Sequence, residues 1–154
     1  MTRPSERLKA LGLTLPPVAQ PVGAYVPAVR HGDLLFLSGQ LPMRSGKLAF
    51  TGKAGAERTI EDAQAAARLC TLNAIAAAAG AIGQVDDIAR VVKVVVYVAA
   101  APGFTEPHKV ANGASDLLAE VFGEPGKHAR AAVGVAELPL NATVEVDVTF
   151  ASTR

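Results

Sequence analysis

Two charged residues near the end of the chain sit in surroundings that are otherwise small and apolar. Arg130 lies in His128-Ala-Arg130-Ala-Ala-Val-Gly-Val-Ala-Glu-Leu-Pro139, and Glu145 lies in Ala142-Thr-Val-Glu145-Val-Asp-Val-Thr-Phe150. Both stretches read as short strands, joined by a Leu138-Pro139-Leu140-Asn141 turn. If the two strands pair as neighbours, they bring a guanidinium and a carboxylate to one small site. An arginine there forks onto a ligand carboxylate. A glutamate there holds a water or moves a proton. The other reading is that both are ordinary strand-surface charges, and the residues alone leave the two readings side by side.

The remaining reactive residue types narrow the chemistry. The three histidines, His31, His108 and His128, have no metal-ligand spacing with one another, with Cys or with carboxylates, so no metal is expected. Ser38 stands in Ser-Gly-Gln and not in a G-x-S-x-G elbow. No G-x-G-x-x-G or Walker A sequence is present, so no nucleotide cofactor is assigned. Cys70 is the single cysteine, which excludes an internal disulfide and fits a reducing compartment. It falls on an alanine-rich helical stripe and reads as a small packing residue.

At 154 residues the chain reads as one domain, 1–154, with residues 1–20 as an N-terminal extension. The net charge of +1 lacks the excess of basic residues that nucleic-acid binding needs, so no nucleic-acid partner is expected. Residues 1–20 have no apolar signal region, and Arg90 and Lys93 interrupt the longest apolar run. The expectation is a cytoplasmic protein with no membrane partner.

The elements that must position Arg130 and Glu145 follow from pattern. Residues 4–11 can form a short helix ended by Gly12, and Pro16, Pro17 and Pro21 enforce an extended path. Residues 26–29 and 34–37 read as strands around a His31-Gly-Asp33 turn. Residues 39–58 read as a glycine-rich loop of no regular period. Thr59 caps a helix that runs to Ala79 and stops at Gly80, with Ala63, Ala66, Ala67, Cys70, Asn73, Ala74 and Ala77 on one stripe. Residues 91–99 form the strongest strand, with Val92, Val94, Val96 and Val98 on one face and Val91, Lys93, Val95 and Tyr97 on the other. Both faces are largely apolar, so both call for cover, and a layer of two helices covers only one. A partner subunit for the second face follows. A second long helix spans about 106–122, and in residues 143–150 Val144, Val146, Val148 and Phe150 alternate against Thr143, Glu145, Asp147 and Thr149. The order strand, strand, helix, strand, helix, strand, strand is α+β, with one sheet and two helices on one of its faces.

The stretch from Ala129 to Pro139 resembles the R-x-x-V-x-V-x-x-L-P signature of the Rid (reactive intermediate deaminase) family, also called YjgF-like. Gly23-Ala-Tyr25-Val-Pro-Ala-Val with Leu34-Leu-Phe-Leu-Ser38-Gly39-Gln40-Leu-Pro42 is similar to that family's N-terminal hairpin. The resemblance covers about residues 21–150. It implies a chorismate-mutase-like fold with a mixed sheet, and a homotrimer with a central barrel and ligand sites between subunits. It implies hydrolysis of small 2-imino or enamine acids to 2-keto acids and ammonia. A non-catalytic trimer that binds a small carboxylate metabolite is the alternative. RNA cleavage, an activity attached to the family's name, sits poorly with the near-neutral charge and few aromatics. Carried over, Arg130 grips the substrate carboxylate and Glu145 positions the attacking water. Tyr25, Ser38 and Gly39 line the pocket, and Asn112 matches a family asparagine. Ala132 stands where many members have cysteine, so thiol chemistry is out at that position. The N-terminal stretch and the 46–58 loop look longer than in compact members.

Overall fold

Pro4 opens a helix and Glu6 closes its first turn, accepting from Arg3 N–H at 2.9 Å. This helix, α1 (Pro4–Ala10), puts Leu8 into the core, and Gly12 follows at φ 71°. The proline-rich stretch after it is not a loose tail, since Leu13, Leu15 and Val18 pack against the core. The computed structural model describes residues 2–153, so Met1 and Arg154, the ends of the expected domain, lie outside the described residues.

β1 (Ala28–His31) and β2 (Leu34–Leu37) form the expected hairpin. The first strand lies two residues later than expected, because the turn at Gly32 and Asp33 sets His31 opposite Leu34 and Ala28 opposite Leu37. The 39–58 segment is more regular than its sequence suggests. It holds a small hairpin of β3 (Met43–Arg44) and β4 (Lys47–Leu48), turned by Ser45 and Gly46 at positive φ. Asn73 Nδ2 pins it to the next helix by donating to Leu41 O and Met43 O at 3.2 and 3.0 Å.

The capping box at Thr59 forms as its spacing predicts. Asp62 N–H donates to Thr59 Oγ1 at 3.0 Å, and Thr59 N–H donates to Asp62 Oδ2 at 3.1 Å. The helix, α2 (Ile60–Ile82), runs past the expected stop at Gly80. Gly80 is there for space, since a Cβ would come within 3.0 Å of Val18 Cγ2. The helix ends at Gly83, whose φ of 107° side chains rarely adopt. At 23 residues α2 is long and apolar enough to cross a membrane, which corrects the expectation that no apolar stretch reaches that length. Its stripe of small residues, Ala63 to Ala77, is instead buried within the fold.

β5 (Ile88–Ala99), α3 (Pro107–Phe122), β6 (Ala129–Val135) and β7 (Val144–Ser152) complete the molecule. The strand order is β1-β2-β7-β5-β6, with β5 and β6 parallel and the other pairs antiparallel. This corrects the expected pairing of the two C-terminal strands, because β5 lies between β6 and β7. A register shift between Val91 and Lys93 also resets the faces of β5. Val91, not Val92, joins Val94, Val96 and Val98 in the core beneath the helices.

Among the described residues, none of the helices covers the opposite face of the sheet. Val29, Phe36 and Val133 on that face are 54%, 45% and 42% exposed. On the covered side α2 and α3 approach closely at Gly113, where a Cβ would overlap the Gln64 carbonyl. That contact sets the helix face that meets β6.

Candidate functional site

Arg130 pairs across β6 with Val94, a core residue, so its side chain leaves on the helix-covered side of the sheet. There it meets three groups of α3 spaced i, i+4 and i+7, which share one helix face. Nη1 donates to Asn112 Oδ1 at 2.9 Å and to Ser115 Oγ at 3.1 Å, and Nη2 donates to His108 O at 3.3 Å. An arginine has five N–H donors. Among the described residues, Nε–H and one Nη2 hydrogen remain unused, and the group is exposed. The expected pairing of Asn112 with this region is therefore a direct contact to Arg130.

Glu145 pairs across β7 with Tyr97 and alternates with the buried Val144 and Val146, so it points to the uncovered face. It is half-buried, and burial pushes its carboxyl above the ordinary glutamate range, with Asp147 two residues on adding to the shift. Gly39 lies directly against it, and a Cβ on Gly39 would stand 2.5 Å from Glu145 Oε2. The approach is built by a bulge. Phe36 faces Thr149 and Gln40 faces Val146, which is four steps along one chain against three along the other. Gln40 and Val146 exchange backbone hydrogen bonds at 2.8 and 2.9 Å and lock the bulge in place.

Ser38, Gly39 and Tyr25 line one cavity of about 160 Å³. Its other walls include Pro21, Val22, Pro27, Leu41, Met43 and Leu140, so it is mainly apolar. Ser38 Oγ–H donates to Val26 O at 2.6 Å, which leaves its lone pairs as acceptors. Tyr25 is more than half exposed at the mouth.

The expected residues thus fall into two groups. Tyr25, Ser38, Gly39 and Glu145 lie at the β2–β7 side, and Asn112 and Arg130 lie at the β6 edge. Arg130 and Glu145 point to opposite faces and are three register positions apart along β5, about 10 Å of strand. One chain does not bring them together. Sequence reasoning missed Ser115, one turn beyond Asn112, and His128, two residues before Arg130 on the same side of the strand. Both spacings were visible. It also missed the N-terminal segment as a wall of the cavity, for which no pattern gave a signal.

A five-stranded mixed sheet backed by helices on one face, with this hairpin and this arginine strand, defines the YjgF/chorismate-mutase-like class. The family model described as "YjgF/chorismate_mutase-like, putative endoribonuclease" matches residues 5–152, and the chain belongs to this YjgF-like, or Rid, family. It is 49% identical over 146 residues to Protein TCP17 of Trypanosoma cruzi, covering 94% of this chain and 91% of that protein. It is 33% identical over 137 residues to a 2-iminobutanoate/2-iminopropanoate deaminase of Dermatophagoides farinae, covering 88% and 91%. The crystal structure of protein Atu1372 from Agrobacterium tumefaciens superposes with a TM-score of 0.90 at 49% identity, covering 98% of this chain and 92% of that one.

Proposed function

We propose that the protein hydrolyses small 2-imino acids to 2-keto acids and ammonia, at a site assembled between two copies of the chain. The carrying observation is Arg130. Three partners on α3 hold its guanidinium while Nε–H and one Nη2 hydrogen stay unused, the state of an arginine that awaits a carboxylate. The kinship to a 2-iminobutanoate/2-iminopropanoate deaminase supplies the substrate class.

The rest of the reaction follows from Glu145. Water adds its oxygen to the imine carbon, and a proton of that water passes to the Glu145 carboxylate. The carboxyl returns that proton to nitrogen to give the carbinolamine. The carboxylate then takes the carbinolamine hydroxyl proton and passes it to nitrogen, and the C–N bond breaks as the C=O forms and ammonia leaves. A carboxylate with a raised proton affinity is the better base for the first step. Arg130 holds the substrate at the fixed end, which supplies proximity. The apolar cavity beside Ser38 takes the substrate's side chain, with Tyr25 at its mouth. The uncovered sheet face, with Val29, Phe36 and Val133, is where a further copy packs, and a homotrimer with a central barrel is the assembly we propose.

The test is ammonia release from 2-imino acids generated freshly in the assay. The purified protein should accelerate it, and Arg130→Ala and Glu145→Gln should each abolish most of the acceleration. Binding of 2-keto acids without any acceleration in the parent would favour a carboxylate-binding protein instead.

A further inference from the structure

The hydrogen bonds that hold Arg130 continue beyond it. Ser115 Oγ, which accepts from Arg130 Nη1, also lies 2.9 Å from His128 Nε2, and His128 Nδ1 lies 2.6 Å from Gly126 O. The role of each atom follows from its chemistry. A carbonyl oxygen only accepts, so Nδ1 carries a hydrogen. In the neutral imidazole the other nitrogen is then an acceptor. Ser115 Oγ–H is the donor that meets it. The hydroxyl hydrogen is drawn toward His128, and the lone pairs of Ser115 are left for Arg130. The far end of the chain is rigid. Gly126 is buried, and a Cβ there would overlap the Leu118 carbonyl of α3.

A single acceptor at Asn112 would let the guanidinium pivot about one hydrogen bond. A second acceptor on the other Nη1 hydrogen, together with His108 O on Nη2, prevents that rotation. Ser115 serves as this acceptor because its own hydrogen is engaged elsewhere. We propose that His128 and Ser115 are positioning residues that fix the Arg130 guanidinium and so set the direction in which it meets the substrate carboxylate. This rests on the reading of Arg130 as the carboxylate-binding group. Neither residue touches the reacting carbon, so their effect is on binding and not on the chemical step.

The experiment compares binding of 2-oxobutanoate by calorimetry with steady-state kinetics on 2-iminobutanoate, for the parent and five variants. Ser115→Ala removes the acceptor, and His128→Leu removes the group that orients it. Each should weaken 2-oxobutanoate binding and raise KM about tenfold, the effect of one lost hydrogen bond to a charged group. Their kcat should stay within about threefold of the parent, because the lost interaction is one of binding. His128→Gln carries an amide oxygen that can accept from Ser115 and should restore most of the binding. The double variant Ser115→Ala/His128→Leu should cost no more than Ser115→Ala alone, since both break the same chain. The fifth variant, Arg130→Ala, separates the two levels of the claim.

Parent-like binding in Ser115→Ala and His128→Leu, with binding lost in Arg130→Ala, would overturn the relay and leave the carboxylate reading standing. Parent-like binding in Arg130→Ala would overturn both. A lower kcat at unchanged KM in Ser115→Ala would also overturn the relay, because it would place Ser115 in the chemical step. Should His128→Leu not fold, Ser115→Ala carries the test alone. It deletes one oxygen on a helix where alanine is the better former.

Discussion

Arg130 and Glu145 lie on strands separated by β5 and point to opposite faces of one sheet. A reaction that needs both must therefore recruit them from different chains. This makes a complementation experiment decisive. Glu145→Gln should lose roughly 10²–10⁴-fold in turnover when assayed alone, and Arg130→Ala should lose most substrate binding and with it activity. Mixed by co-expression or by unfolding and refolding together, they should regain activity. An interface that takes its arginine from the Glu145→Gln chain and its glutamate from the Arg130→Ala chain is intact, which is about a quarter of interfaces in a one-to-one ring. No recovery in mixed oligomers, with each variant inactive alone, would rule out the shared site.

Gly113 sets the distance between α2 and α3, and hence where Asn112 and Ser115 meet Arg130. At an ordinary helix position Gly→Ala stabilises by about 1 kcal/mol. Here a Cβ meets the backbone carbonyl of Gln64, which cannot rotate away. Gly113→Ala should destabilise by about 1–3 kcal/mol as an overpacked contact, and should weaken 2-keto acid binding as well. Chemical denaturation gives the first quantity and calorimetry the second. An unchanged or raised stability would show that the two helices have room to part.

Much of this fold was legible from local signals. The Thr59 capping box, the α3 limits and the alternation of β7 depend on neighbours in sequence, and all three hold. The failures are non-local. Nothing within residues 128–150 reveals that β5 enters between β6 and β7, so the two charged residues looked like neighbours on one surface. Gly80 read as a stop because its real constraint, Val18, is 62 residues away in the chain. The Ser45-Gly46 turn was a local signal that went unused. At the site, Arg130 and Glu145 stood out as charges in otherwise apolar strands, Tyr25, Ser38, Gly39 and Asn112 came from family resemblance, and the structure sorts the six into two groups. Ser115 and His128 join Arg130 through side-chain hydrogen bonds, and although their spacings were present in the sequence, nothing there set α3 against β6.

Gly39 and Glu145 form the second close relationship. A Cβ on Gly39 would stand 2.5 Å from Glu145 Oε2, but the obstructing atom is the end of a flexible side chain. Gly39→Ala should therefore fold and displace the carboxylate. Turnover should fall by at least about tenfold through misplacement of the group that directs water, while the melting temperature changes little. Carboxylate binding at Arg130 should persist. A variant with parent-like turnover would mean that the Glu145 carboxylate has no required position against Gly39.

The raised carboxyls of Glu145 and Asp147 predict a pH dependence of stability. Burial is the main cause for both, and Asp147 adds to the shift of Glu145. A carboxyl whose folded proton affinity exceeds its unfolded one costs nothing when both states are protonated. The cost appears as pH rises from the ordinary carboxylate range through the raised folded value, so stability falls across that window. Glu6, Glu57 and Glu106 are shifted down by hydrogen bonds, and their contribution has the opposite sign, lost as pH falls. Comparing variants isolates the raised pair. Glu145→Gln and Asp147→Asn should each melt higher than the parent at neutral pH, and the gain should vanish below the ordinary carboxylate range. Melting curves taken across this window check the sign. A variant that melts lower at neutral pH would show that the carboxylate is held by a favourable partner in the assembled protein, with its charge stabilised and not penalised.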